Sequence, residues 1–321
     1  MPTDPISGAQ CTLRTGDYVA EIAAIGASLR TLRYRGRDVV VPFDADAIRP
    51  AMRGAILAPW PNRTADGRYR FGEVEHRLPV NEIETNTATH GLVAWQRFEA
   101  VGRTSGSVSL RSWIEPQPGY PWRVMLDVEY RLGSDGLAIV VCATNESATP
   151  APFGIGIHPY LVAGDLQACA VDDWSLEVPA TEVLFTDARM LPTEIVPLGS
   201  EEASGFDFRS TRRIGAAVLN HAFTGLRRGE DGRARVRVTD PSGGGAEISW
   251  DAASEWVQLY TSDEATGPER RHAIAVEPQS CAPDALNSGR GLLTLLPGGS
   301  ARFGWWIRAL DAPEPSHQRD G

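Results

Sequence analysis

Trp122-Arg-Val-Met-Leu-Asp-Val-Glu-Tyr-Arg-Leu132 alternates two kinds of side chain with a period of two. Val124, Leu126, Val128 and Tyr130 fall on one side, and Met125, Asp127, Glu129 and Arg131 on the other, as a half-buried β-strand requires. The turn signal Ser134-Asp135-Gly136 follows, and then the continuous apolar run Leu137–Ala143. That run predicts a second strand, buried on both faces, with Cys142 as a buried thiol. Working outward, the same criteria predict strands at Tyr18–Ile25, Leu29–Tyr34, Val108–Trp113, Arg233–Thr239, Ala246–Trp250, Trp256–Tyr260, Ile274–Glu277 and Ala301–Ala309. Glu230-Asp231-Gly232, Pro241–Gly245 and Pro297-Gly298-Gly299 mark turns between them. No window of about 11 residues carries a 3.6-residue period; a helical turn is expected only within Ala282–Gly291. Regularly spaced strands with turns between them predict an all-β chain folded as a large antiparallel β-sandwich.

The bulk numbers agree. With 321 residues, 42% of them hydrophobic, the chain can bury a large core. Gly 32 and Pro 23 make about 17% of the chain, above the usual level of roughly 12% and in keeping with many turns. No linker divides the middle, so one domain is expected over residues 1–311, followed by a polar, loose tail from Ala312 to Gly321. The formal net charge is -10 with a pI near 5.2. A nucleic-acid binder is normally basic, so no nucleic-acid partner is expected. Cys11, Cys142, Cys169 and Cys281 show neither CxxC pairing nor ligand-like spacing with histidine, so neither a disulfide frame nor a metal site is expected. The opening MPTDPISGAQ has no basic start and no apolar stretch, and no apolar run approaches the roughly 18 residues of a membrane span. The expectation is a cytoplasmic protein with no membrane partner.

Three short polar motifs stand out against this frame, in a fixed order. Asn62-Arg63 lies inside Ala58–Gly67, followed by His90-Gly91; His158-Pro159-Tyr160 lies near mid-chain; Glu277-Pro278 lies near the C-terminus. Each taken singly reads as a turn or a strand end facing water. Together they supply one guanidinium, two imidazoles and a carboxylate, each beside a turn-forming residue. Trp60, flanked by Pro59 and Pro61, places an aromatic ring beside the Asn62-Arg63 fork, an arrangement suited to the C–H face and hydroxyls of a sugar. His158 follows Phe153-Gly-Ile-Gly-Ile157, where two glycines let other groups approach the backbone and Pro159 fixes the direction of the chain. Glu277 closes the apolar run Ala273–Val276 and can be held rigidly at the mouth of a cavity. Asp207-Phe208-Arg209 reads as structural, and Asp284 and Asn287 as turn or capping residues.

These residues resemble the aldose 1-epimerase (galactose mutarotase) family from about Leu29 to Ala309. The resemblance runs through Pro59-x-Pro-Asn-Arg63, Asp66-Gly-x-Tyr69, Phe71-Gly72, Leu78, Asn81, His90-Gly91, Phe153-Gly-x-Gly-x-His-Pro-Tyr160, Asp207-Phe-Arg209, Val276-Glu-Pro278 and Pro283-Asp-Ala285. It implies a β-sandwich with an open cleft on one sheet, and interconversion of the α and β anomers of a free monosaccharide without cofactor or metal. It further implies Glu277 as general base, His158 as general acid, and Arg63 and His90 as sugar-positioning residues, with Asn62, Trp60 and Tyr160 around them. The family usually has Asp-His before an aromatic residue in the third quarter of the chain. Here the pair is Asn220-His221, so Asn220 takes the place of a carboxylate that binds sugar hydroxyls, loses its charge and adds an NH₂ donor.

The chemistry fits independently. Opening a pyranose needs a base for the C1 hydroxyl proton and an acid for the ring oxygen, and a carboxylate with a protonated imidazole can serve. Two rival readings remain at this level. An epimerase of an anionic sugar, phosphorylated or sulfonated, would need an Arg or Lys cluster for which Arg53, Arg63 and Arg209 are candidates. A non-catalytic sugar-binding module would keep Trp60 and Arg63 but has no need of Glu277 and His158.

Overall fold

The computed structural model describes residues 4–313. Among them, helix is confined to the four-residue turn Ala285–Ser288 and four short 3₁₀ turns. Everything else regular is antiparallel β-strand, as the period-two pattern predicts. From residue 314 onward the expected tail lies outside the described residues.

Two large sheets form a β-sandwich. The nine-stranded sheet runs in the order Glu99–Arg103, Ser107–Ile114, Val124–Gly133, Gly136–Asn145, Ser300–Leu310, Gly245–Trp250, Ala234–Thr239, Ser175–Glu177, Arg212–Arg213. The eight-stranded sheet runs Pro192–Pro197, Glu182–Thr186, Asn220–Thr224, Trp256–Tyr260, Ile274–Gln279, Gly156–Ile157, Ile56–Leu57, with Tyr160–Leu161 also pairing with Ile274–Gln279. A four-stranded N-terminal sheet, Gln10–Asp38, lies against the assembly, and the Ala309 amide donates to the Tyr18 hydroxyl at 2.9 Å. The core takes the apolar faces: Val124, Leu126, Val128 and Tyr130 are buried, joined by Phe153, Trp250, Phe303 and Trp305. Burying aromatic side chains of this size supplies much of the stability of such a core.

One expectation is corrected. The strand Gly136–Asn145 is not buried on both faces: Leu137, Ile139, Val141 and Ala143 are buried, whereas Ala138, Val140 and Cys142 are only half-buried. The reason is lateral. Cys142 lies between Asp127 and Arg302 of the flanking strands, and the long stem of Arg302 beside it lets short apolar residues be tolerated on the outer face.

The sandwich positions the site through one interruption. The strand Ile274–Gln279 pairs along one edge with Trp256–Tyr260. Along its other edge it pairs first with Tyr160–Leu161 and then with Gly156–Ile157. His158-Pro159 fills the gap between those two short strands, with the Val276 amide donating to the Pro159 carbonyl at 3.1 Å. Gly156 is needed here, because a Cβ on it would lie 3.0 Å from Gln279 Cγ and 3.1 Å from the Pro278 oxygen. The break turns the His158 side chain out of the ladder and toward Glu277.

Candidate active site

Glu277 and His158 meet beside that break. His158 Nε2 and Glu277 Oε1 are 3.3 Å apart, and both residues are almost closed to solvent, at 5% and 2% exposure. They line a cavity of about 210 Å³ together with Asn62, Arg63, Glu82, His90, Tyr160, Asn220, Gln258, Tyr260, Glu264 and the backbone turn at Ala51-Met52. Seven of the eight residues singled out from the sequence therefore come together.

Each is held by its neighbours. Arg63 places Nε and Nη2 on the two Glu82 carboxylate oxygens, at 2.7 Å each, a bidentate pairing that fixes the plane of the guanidinium. Burial works to raise the Glu82 carboxyl, but Arg63 and the Thr87 hydroxyl outweigh it and hold the group at about 2. His90 has positive φ (65°), and its Nδ1 accepts from the Asn62 amide at 3.3 Å. Its proton is therefore on Nε2. Burial and the nearby Arg63 charge hold the ring neutral, with its pKa at about 3. The His158 ring stacks on Tyr160, with centroids 5.2 Å apart, and meets His90 edge-on at 5.4 Å.

Burial shifts Glu277 and His158 in opposite directions. Burial pushes the Glu277 carboxyl up to about 8, with Arg63 and the Gln279 amide opposing only in part. Burial and then His90 push His158 well below the ordinary imidazole value. Burial therefore disfavours the charged form of both groups, moving the carboxyl up and the imidazole down.

Trp60 is the exception among the eight. It is 2% exposed, and its indole N–H donates to the Ala88 carbonyl at 3.2 Å. The ring is a core residue and offers no face to the cavity. An aromatic flanked by prolines serves the interior as well as it would serve a ligand, and here the satisfied N–H lets it be fully buried. The reading of Asp207 and Asp284 as structural agrees with their contacts: Asp207 pairs with Arg209 at 2.6 Å, and Asp284 accepts from the Ala65 amide at 2.9 Å and from Asn287 Nδ2 at 2.8 Å.

Sequence reasoning missed Gln258, Tyr260, Glu82 and Glu264 as wall residues. Gln258 joins Asn62 to Asn220: Asn62 Nδ2 donates to Gln258 Oε1 at 3.2 Å, and Gln258 Nε2 donates to Asn220 Oδ1 at 2.9 Å. Gln258 and Tyr260 alternate with Val257 and Leu259, and that period was the available signal. It assigns the two polar residues to the face opposite the buried pair, which is the cavity face here.

Comparisons with known proteins place the chain in a family. A profile of the aldose 1-epimerase family matches residues 9–308. An uncharacterised Escherichia coli protein, YihR, is 33% identical over 298 residues, covering 92% of each chain. The galactose mutarotase of Mus musculus is 23% identical over 321 residues, again covering 92% of each. Among solved structures, an aldose epimerase homologue from C. elegans superposes with a TM-score of 0.80 at 21% identity, over 94% of this chain and 100% of that one. A galactose 1-epimerase from Lactobacillus acidophilus superposes with a TM-score of 0.77 at 19% identity, over 94% and 95%. The chain belongs to the aldose 1-epimerase family.

Proposed function

We propose that the protein interconverts the α and β anomers of a free monosaccharide by opening and closing its ring. The observation that carries this reading is the buried Glu277–His158 pair, 3.3 Å apart, in a polar cavity of about 210 Å³. That volume lies below the roughly 300–1,000 Å³ of pockets for drug-sized ligands and suits a single sugar ring.

The proton arithmetic supports it. In the working form Glu277 is ionised and His158 protonated. Glu277 takes the C1 hydroxyl proton, His158 gives its proton to the ring oxygen, and the C1–O5 bond breaks to leave the open aldehyde. The pair is then a carboxylic acid beside a neutral imidazole, the form that burial favours. Rotation about C1–C2 and the reverse transfers close the ring on the other face. A bound sugar supplies dipoles that water-free burial removes, and so shifts the pair toward its charged form. His90 Nε2–H, Arg63 and Asn220 are the positioning groups around the ring. Among the described residues that line the cavity, Arg63 is the one permanent cation, and Glu82 already neutralises it. This favours a neutral aldose over an anionic one.

The test is polarimetry or proton NMR on freshly dissolved α-anomers of glucose, galactose and further aldoses. The expected result is a relaxation to equilibrium that accelerates in proportion to protein for at least one of them. Rates equal to buffer for every sugar would sink the proposal.

A further inference from the structure

We infer that Asn220 meets its substrate as a hydrogen-bond donor, with its polarity imposed through Gln258 and Asn62 by a backbone amide. The inference rests on the sugar reading above and deepens it. It makes Gln258 a positioning residue for the group that replaces the family's carboxylate.

The argument begins at a group that cannot be reversed. The Arg63 main-chain N–H donates to Asn62 Oδ1 at 2.9 Å, and a backbone amide is only ever a donor here. Asn62 is buried at 3% exposure, so its oxygen is committed and its Nδ2 must face the other way, toward Gln258 at 3.2 Å. That makes the near atom of Gln258 its oxygen. Gln258 is 4% exposed, and its opposite end is then Nε2, which donates to Asn220 at 2.9 Å. The near atom of Asn220 is therefore Oδ1; the residue lines the cavity, and the NH₂ is the end of the amide that the relay leaves over for a ligand. Turning over Asn62 or Gln258 would set nitrogen against nitrogen and oxygen against oxygen in a buried pair, and turning over half-buried Asn220 would set its nitrogen against Gln258 Nε2, each costing more than it could return. An aspartate at the same place would accept from Gln258 with one oxygen and present a second acceptor to the ligand. The single change from carboxylate to amide therefore reverses what the sugar encounters, from an acceptor for its O–H to a donor for its oxygen.

A hydroxyl can answer either partner, but fluorine only accepts, weakly, and hydrogen does neither. A panel of monodeoxy and monodeoxyfluoro derivatives of whichever aldose is turned over therefore reads the polarity. In the native enzyme, one ring position is expected where the fluoro sugar exceeds the deoxy sugar in kcat/KM by about 3- to 5-fold. In Asn220→Asp the order at that position reverses. In Gln258→Met the preference collapses toward unity, whereas a merely structural role for Gln258 would lower all sugars alike. Equal values for fluoro and deoxy sugars at every position, or the same ranking in native and Asn220→Asp protein, would overturn the inference. Neutron diffraction from crystals of the perdeuterated native protein decides the polarity without any substrate: deuterons on the cavity-facing atom of Asn220 are expected, and an oxygen there would overturn it. If the native protein anomerises no aldose, the proposed function falls while the neutron map still decides the relay.

Discussion

Glu247 and Glu277 occupy the middle of a strand in each of the two large sheets, and both are nearly sealed from solvent, at 3% and 2% exposure. Their neighbours differ. Glu247 stands in register between Arg237 and Arg308 on the flanking strands and is bound by both at 2.8 Å, with Arg235 at 3.8 Å. Burial works to raise its carboxyl, but Arg308 and Arg237 outweigh it and the group stays ionised. Glu277 stands in register with neutral Gln258 on one side and with the break that holds His158 on the other. No arginine touches it among the described residues, and its carboxyl rises to about 8. Burial alone therefore does not set the ionisation of a carboxyl. The difference is whether the fold supplies it with permanent countercharge or leaves its proton free to move.

The sharpest way to break that contrast is to remove each charge without changing shape. Glu277→Gln is expected to lower kcat by about 10³-fold, within the range for losing a positioned proton acceptor, while sugar binding persists. Glu247→Gln is expected to leave kcat/KM within about 2-fold. Adding His158→Asn to Glu277→Gln should cost far less than the product of the single losses, because the pair acts as a unit. Steady-state polarimetry on the purified variants decides it; near-native activity of Glu277→Gln would remove that residue from the chemistry.

Stability should show the opposite ranking. Glu247→Gln leaves Arg237 and Arg308 facing each other across a neutral amide. Breaking a buried pair costs roughly 3–5 kcal/mol. Both arginines are nearly half exposed, at 42% and 48%, so water screens part of this and about 2 kcal/mol is expected. Thermal unfolding should shift down by about 5 °C. Glu277→Gln should unfold at or above the native temperature, since it removes a carboxyl that burial disfavours. A stable Glu247→Gln protein would mean that the arginine cage contributes nothing net.

The pH dependence follows the same division, at about tenfold per pH unit on each limb. The active pair carries one proton in total, so kcat/KM should be bell-shaped with limbs that belong to the pair. The alkaline limb falls where that proton is lost, at about 8. The acid limb falls where His158 gains a second, well below its ordinary 6.5. The stability slopes have opposite signs. The Glu277 pKa is raised from 4.5, so its contribution is most favourable below that value and is lost as pH rises toward 8. The Glu247 pKa is lowered, so its contribution is present above 4.5 and is lost as pH falls through its folded value. Chemical denaturation should therefore show both Gln variants drawing away from the native curve as pH rises, Glu247→Gln below it and Glu277→Gln above it, with the differences shrinking in acid.

Much of the fold was legible because long strands repeat their period many times over. Val124–Gly133 and Trp256–Tyr260 were found nearly to the residue. The strands that build the site were not, since Ile56–Leu57, Gly156–Ile157 and Tyr160–Leu161 are two residues each and too short to show any period. The candidate residues were legible through the order of their motifs, which places polar groups next to turn formers. Trp60 was misplaced because proline neighbours do not say which side of a sheet a ring faces. Gln258 was missed because only its partners, Asn62 and Asn220, give it a role. The opposite shifts of Glu277 and His158 were out of reach, since they depend on burial and on Arg63 being paired with Glu82 rather than with Glu277, neither of which a motif encodes.

The smallest expected effect tests how much of the Glu247 cage is redundant. Arg237→Gln removes one of the two close arginines and leaves Arg308 at 2.8 Å and Arg235 at 3.8 Å. Arg237 is 42% exposed and also reaches Glu177 at 3.4 Å, so its loss frees a long side chain into water as well as breaking ion pairs. The net cost should be below about 1 kcal/mol, as for other half-exposed pairs, and should shrink further in high salt. Activity should not change, because the outer face of the nine-stranded sheet has no contact with the cavity. The informative quantity is the acid limb of stability. With Arg308 alone at close range, Glu247 should take its proton at a higher pH and stabilise less when ionised, so denaturation midpoints of Arg237→Gln and native protein should be furthest apart above about pH 4.5 and draw together as the solution is acidified and Glu247 is protonated in both. If the midpoints stay parallel across the whole range, Arg308 alone sets the ionisation of Glu247, and the contrast with Glu277 rests on one arginine rather than two.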